Sequence, residues 1–106
     1  MIRAGKLVHP IGIERVTVTA GDAGEPVETW ASVATVRAEM IERKIVESAT
    51  DHGTQTTTDI AFRIRYFAWI SLADRIVYAG RSYDLVEIEE PRAGRELVLK
   101  VRRIGP

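Results

Sequence analysis

Alternation of apolar and polar residues is the strongest signal along the chain, and it marks strands. In residues 59–66, Ile60, Phe62, Ile64 and Tyr66 fall on one side and Ala61, Arg63 and Arg65 on the other, the period-two pattern of a half-buried strand. Residues 31–40 repeat it: Ala34, Val36, Ala38 and Met40 alternate with Thr35, Arg37 and Glu39. Residues 11–19 are rich in β-branched side chains, but the apolar positions change sides between Ile13 and Val16, which predicts a bulge near Glu14 and Arg15. Further on, residues 75–78 and 82–88 read as a hairpin turning at Ala79-Gly80-Arg81. Residues 95–104 set Leu97, Leu99 and Val101 inward and Val98, Lys100 and Arg102 outward. Turn sequences at residues 21–26 and 89–94 separate these segments, and residues 67–74 form an apolar connection with room for one helical turn. About six strands spaced by turns predict an all-β, mainly antiparallel fold, a small six-stranded barrel or sandwich.

One segment breaks the pattern. Between two well-marked strands, residues 41–58 read as a long loop. Ile41, Ile45 and Ala49 recur every four residues, so residues 42–50 have the spacing of a short helix ended by Asp51-His52-Gly53. Two helical turns are marginal unless packed against something. The run Thr54-Gln55-Thr56-Thr57-Thr58 that follows has β-branched stems and no apolar face. Connections this long tend to be functional, and polar extended backbone finds its hydrogen bonds most readily on another chain. The segment is therefore a candidate for contacts between subunits, with Ile41, Glu42, Arg43, Lys44, Ile45, Val46, Glu47, Asp51, Thr54, Gln55, Thr56 and Thr57 as its contact residues.

Composition narrows the function classes. A chain of 106 residues fits one domain, 1–106, with residues 1–9 as an N-terminal tail. Fifteen basic and fifteen acidic residues cancel, so no long-range field attracts a phosphate backbone. There is no cysteine, which excludes disulfides and thiolate metal sites. No apolar run approaches the ~20 residues that span a bilayer, so no membrane partner is expected. His9 in the tail and His52 in a polar loop show no ligand spacing to a carboxylate. Glu89-Glu90 beside Pro91 reads as a solvated turn, not an acid–base pair. No nucleophile elbow, phosphate loop or dinucleotide fingerprint occurs. Catalytic residues, cofactor and metal are expected to be absent, and the chain is not expected to be an enzyme. Arg63 and Arg65 on one strand face, with Lys100, Arg102 and Arg103 near the C-terminus, keep open an alternative: a small β-barrel adaptor module that binds nucleic acid or another protein. Against it, Tyr66, Phe67 and Trp69 lie in apolar runs and are expected in the core.

The order of landmarks resembles a known family. Ala4-Gly5-Lys6-Leu7, Ile11-Gly12-Ile13-Glu14-Arg15, Gly24-Glu25-Pro26-Val27-Glu28-Thr29-Trp30, Val33-Ala34-Thr35-Val36-Arg37-Ala38-Glu39, Ile64-Arg65-Tyr66 and Arg75-Ile76-Val77-Tyr78-Ala79-Gly80-Arg81-Ser82-Tyr83-Asp84-Leu85 together resemble the head–tail adaptor (head-closure) proteins of tailed bacteriophages. No single piece is specific; the ordered set covers residues 4–103. The resemblance implies a virion structural protein with a small β-barrel fold, present in the host cytoplasm during assembly. It implies copies that form a ring at the head–tail connector, close the DNA-filled head and offer a surface to the tail. Its implied partners are other copies of itself, a portal-associated adaptor protein, a tail protein and, transiently, packaged DNA. Isolated subunits can remain monomeric. The loop corresponding to residues 41–58 is implied to face the central channel.

Five landmark residues also have physical readings as structural anchors. Trp30 removes a large apolar area from water, and Gly80 supplies the positive φ of a tight turn. Tyr66 and Tyr83 bury their rings, and Arg75 pairs with a carboxylate, Asp74 and Glu87 being two candidates.

Overall fold

The computed structural model describes residues 4–105. A short 3-10 turn, Ala4–Lys6, leads into six strands: β1 His9–Ala20, β2 Pro26–Thr50, β3 Gly53–Arg65, β4 Arg75–Tyr78, β5 Arg81–Arg92 and β6 Glu96–Ile104. All pairings are antiparallel, and the order β1-β2-β3-β6-β5-β4 closes on itself as a small barrel. The closing seam is short: Gly12, Ile13 and Glu14 of β1 face Val77, Ile76 and Arg75 of β4.

The core is the inward row of each strand. Ile11, Ile13, Phe62, Ile64, Ile76 and Leu99 are fully buried, with Ile60, Leu97, Val101, Tyr83 and Leu85 nearly so. Each such side chain contributes about 1.5–3 kcal/mol by leaving water. The alternation in β3 and β6 thus reports the barrel interior, and Ala38 of β2 joins the same cluster. Leu7 is buried as well, so the described part of the expected N-terminal tail is anchored; residues 1–3 lie outside the described residues.

β2 organises the rest. Twenty-five extended residues would span about 80 Å if straight, yet the longest dimension of the molecule is 50 Å. The strand must bend, and its register slips show where. Ile13 faces Ala34 but Glu14 faces Ser32, leaving Val33 as an extra residue. Met40 faces Phe62 but Glu42 faces Ala61, leaving Ile41 extra. Bulges of this kind bend and twist a strand. The bulge expected near Glu14 and Arg15 is therefore present at that level, but its extra residue belongs to β2.

Residues 41–58 are neither a loop nor partly helical. They are the end of β2 and the start of β3, paired from Glu42↔Ala61 to Thr50↔Gly53 around a turn at Asp51-His52. Two physical reasons explain the correction. A spacing of four residues is also twice the strand period, so Ile45 and Ala49 share a strand face as readily as a helix face. The threonine run then offers a β-branched partner strand, which hydrogen-bonds this backbone without a packed helix. Residues 67–74 hold no helix either, only turns at residues 68–69 and 72–73, the second closed by the Asp74 amide donating to the Ser71 carbonyl (2.9 Å).

Candidate functional site

Beyond the second bulge β2 and β3 leave the barrel as a hairpin arm. Residues 41–54 are all exposed. Cross-strand partners share a face. Arg43, Ile45 and Glu47 of β2 therefore stand with Thr54, Thr56 and Thr58 of β3, while Glu42, Lys44 and Val46 stand with Gln55, Thr57 and Asp59. Asp51 sits in the turn, where the Thr50 hydroxyl donates to the Gly53 carbonyl (2.9 Å). The structure thus gathers all twelve candidate contact residues on one projection, with Ile41 as the bulge at its root.

The backbone of the arm is half satisfied. The two strands pair with each other, which corrects the expectation that this backbone finds its hydrogen bonds most readily on another chain. Among the described residues the outer edge of β2 beyond Ala38 has no neighbouring strand, because β1 pairs only with Pro26–Ala38. The outer edge of β3 is covered by β6 only from Thr57 on, with the Gly105 amide donating to the Thr56 carbonyl (2.8 Å) just before it. Unpaired edges of this sort are templates for another strand.

A second hairpin leaves the other end of β2. Here Arg15 to Ala20 of β1 pair with Ala31 to Pro26, and side chains from Thr17 to Thr29 are exposed, Gly21 apart. Its root is fixed by Trp30. The Arg75 guanidinium lies over the indole ring, 4.2 Å from its centroid, and donates to Glu14 Oε1 (2.6 Å). Glu14, not Asp74 or Glu87, is the carboxylate partner of Arg75.

Asp74 has its own task. Its carboxylate, with no exposed surface, accepts two hydrogen bonds from Arg15 (2.9 Å each) and one from the Ser71 amide (3.0 Å). Arg15 also donates to the Trp69 carbonyl. The Arg15 contact, helped by the Ser71 amide, holds Asp74 below its ordinary value of 3.8 against the opposing effect of burial. This clamp fixes the connection between β3 and β4 with Trp69 turned outward, 73% exposed and edge-on to Phe67. Trp69 and Tyr66, 44% exposed beyond the end of β3, are thus not core residues as expected; Phe67 and Ile70 supply the connection's packing. Tyr83 is buried, and Gly80 has φ 77° in the turn between Tyr78 and Arg81.

The basic residues near the C-terminus are largely neutralised. Lys100 pairs with Glu87 (2.9 Å) and Glu89 (3.0 Å), which raise its pKa well above the usual lysine range. Arg102 pairs with Asp59 (2.8 Å) and Arg63 with Glu39 (3.0 Å). A phosphate backbone would have to displace these carboxylates. His9 is half-buried against Tyr78, with Nδ1 3.0 Å from the hydroxyl. Among the described residues no group of three or more histidines and carboxylates is placed to hold a metal.

The sequence profile of the phage head completion proteins matches residues 2–104. The chain belongs to that family. It is accordingly a structural component of the phage head and of the virion. No curated protein matches the chain. Among solved structures, a subunit in the virion of a native gene transfer agent particle is 18% identical with a TM-score of 0.69, covering 88% of this chain and 90% of that one. A Shigella flexneri 2a protein solved in solution is 23% identical with a TM-score of 0.67, covering 96% of each. The xkdH protein of the phage-like element PBSX of Bacillus subtilis is 19% identical with a TM-score of 0.58, covering 89% and 92%. At these identities the likeness is one of fold.

Sequence reasoning missed the Arg15–Asp74 clamp in this head completion protein. The two residues are 59 apart, and nothing local in either segment pairs them. The one signal was a charged residue, Asp74, closing an otherwise apolar run, since buried carboxylates are nearly always paired.

Proposed function

We propose that the protein is a head-closure subunit. Copies assemble into a ring at the head–tail connector, retain DNA in the filled head and present a docking surface to the tail. The β2–β3 arm reaches toward the channel and neighbouring chains. The protein acts without catalysis or cofactor, and a portal-associated adaptor and a tail protein are its further partners. What supports this reading above all is that the barrel core is complete without residues 41–57, while those residues carry an unpaired strand edge. An arm that adds nothing to its own core is free to bond to another chain. The arm holds Glu42, Glu47 and Asp51 against Arg43 and Lys44, a near balance that touches DNA without gripping it. Mixing the purified chain with the portal–adaptor complex of its own phage and imaging the product tests this directly. A ring of copies capping the complex is expected; absence of binding, or single copies bound away from the channel, would refute it.

A further inference from the structure

An open groove of about 430 Å³ lies beside the end of β3, lined by Leu7, Val36, Arg37, Arg65, Tyr66 and Phe67. Its chemistry is two-fold. Leu7, Val36, Tyr66 and Phe67 give it an apolar floor, which the exposed Trp69 extends through its contact with Phe67. Arg37 and Arg65 are exposed at its rim, and among the described residues neither side chain has a hydrogen bond or ion pair, in contrast to Arg15, Arg63, Arg75 and Arg102. Aromatic rings beside unpaired guanidinium groups are the composition of interface anchors.

The chain itself carries a surface of opposite character. From Val16 to Val36 there is no lysine, arginine or histidine, while Asp22, Glu25 and Glu28 are acidic. The β1–β2 hairpin tip therefore has net charge of minus three, and the rest of the neutral chain carries the balancing plus three. Glu25 is partly occupied, accepting the Ala23 amide at 3.0 Å; among the described residues Asp22 and Glu28 have no such partner. Val18 is exposed and is the cross-strand partner of Glu28, so the two share a face, and the tip offers apolar and anionic groups together. The hairpin rises from a rigid root at Trp30, Arg75 and Glu14.

We propose that the groove receives the β1–β2 hairpin tip of a second copy, with Asp22 and Glu28 facing Arg37 and Arg65 and Val18 against the apolar floor. Duplex DNA would meet the arginines but leave that floor unused; a hairpin with both chemistries uses all of it. Because donor and acceptor surfaces differ, the contact is head-to-tail and repeats from copy to copy, closing a ring if the rotation allows. The inference rests on the ring reading above and names the surfaces that meet.

The absence of cysteine permits a clean test by disulfide trapping. Ala20→Cys marks the tip, Ala68→Cys the groove and Ser48→Cys a control site on the other arm. Purified variants are mixed in pairs under oxidising conditions, and each rate is divided by that thiol's rate with a small disulfide. The tip–groove pair should cross-link about tenfold faster than the tip–control pair, the ratio that a modest contact free energy produces. Arg37→Glu with Arg65→Glu should abolish the excess, and Asp22→Lys with Glu28→Lys on the tip variant should restore it. Equal rates for the two pairs, or an excess indifferent to charge reversal, would overturn the proposal. If connector imaging shows a ring while the excess is absent, copies meet through other surfaces. If the excess appears and no ring forms on the connector, the contact stands and the head-closure reading falls.

Discussion

β3 is one strand in two environments. From Ile60 to Ile64 its inward side chains are the barrel core, whereas from Gly53 to Thr57 the same strand runs out along the arm with no core beneath it. Backbone pairing with β2 continues across both halves. The body is specified by apolar packing, which fixes side-chain faces and register. The arm is specified by pairing alone, so its sequence is free to serve contacts outside the molecule. The bulge at Ile41 is the hinge point between the two regimes.

The sharpest way to break the comparison is to cut into each half of β3. Phe62→Ala, in the body, should cost about 3–5 kcal/mol, a large share of the stability of a domain of this size. Urea denaturation measures it, and a cost below about 1 kcal/mol would show that the core does not centre on Phe62.

Next in size is the clamp. Asp74→Ala removes three hydrogen bonds to one carboxylate and should cost about 2 kcal/mol, read as a lower thermal midpoint with the Trp69 connection loosened. The same contact gives an acid dependence. The folded-state pKa of Asp74 lies below its unfolded value, so its stabilisation is present above that unfolded value, near pH 4, and is lost as pH falls through the lower folded one. The wild type should lose stability over that window relative to Asp74→Asn, and parallel pH curves would contradict the assignment.

A smaller effect is expected at the β4–β5 turn. Ala79 has φ 52° and Gly80 φ 77°, both residues of a two-residue turn in the left-handed region, the type I′ geometry. Ala79→Asn should stabilise the body by about 0.5–1 kcal/mol, since asparagine tolerates this conformation better. Calorimetry decides, and an unchanged midpoint would show that the turn is not strained.

The smallest effect on stability belongs to the arm. Thr56→Ala should change stability by less than about 0.5 kcal/mol. Replacing residues 46–57 with Asn-Gly, so that Ile45 and Thr58 close a two-residue hairpin, should leave the thermal midpoint within a few degrees while abolishing incorporation into the connector. A variant that unfolds would place the arm within the folding unit, and one that still joins the connector would detach the arm from assembly.

The same contrast explains what was legible in the sequence. Alternation in β3 and β6 announced the body because one face of each strand is buried. The arm has no buried face, so alternation carries no information there, and the four-residue spacing of Ile41, Ile45 and Ala49 fitted a helix as well as a strand. Its lack of an apolar face was nonetheless readable from the polar threonine run. The second hairpin was legible only as a turn, Gly21-Asp22-Ala23-Gly24-Glu25-Pro26. Its length depends on how far β1 and β2 remain paired. Trp69 and Tyr66 were misplaced because apolar character marks a packing surface without saying on which molecule the partner lies. Partners such as Glu14 for Arg75, 61 residues away, are products of barrel closure and have no local trace.

Hydrogen–deuterium exchange, comparing the isolated protein with the same protein in the assembled connector, tests the central division most directly. Amides of residues 60–64 and 97–101 should be strongly protected in both states. The open-edge amides of residues 41–56, which the β2–β3 ladder leaves without a partner strand, should exchange fast in the isolated chain and become protected on assembly. Equal protection of the arm in both states would contradict the claim that its open edge is completed by another chain.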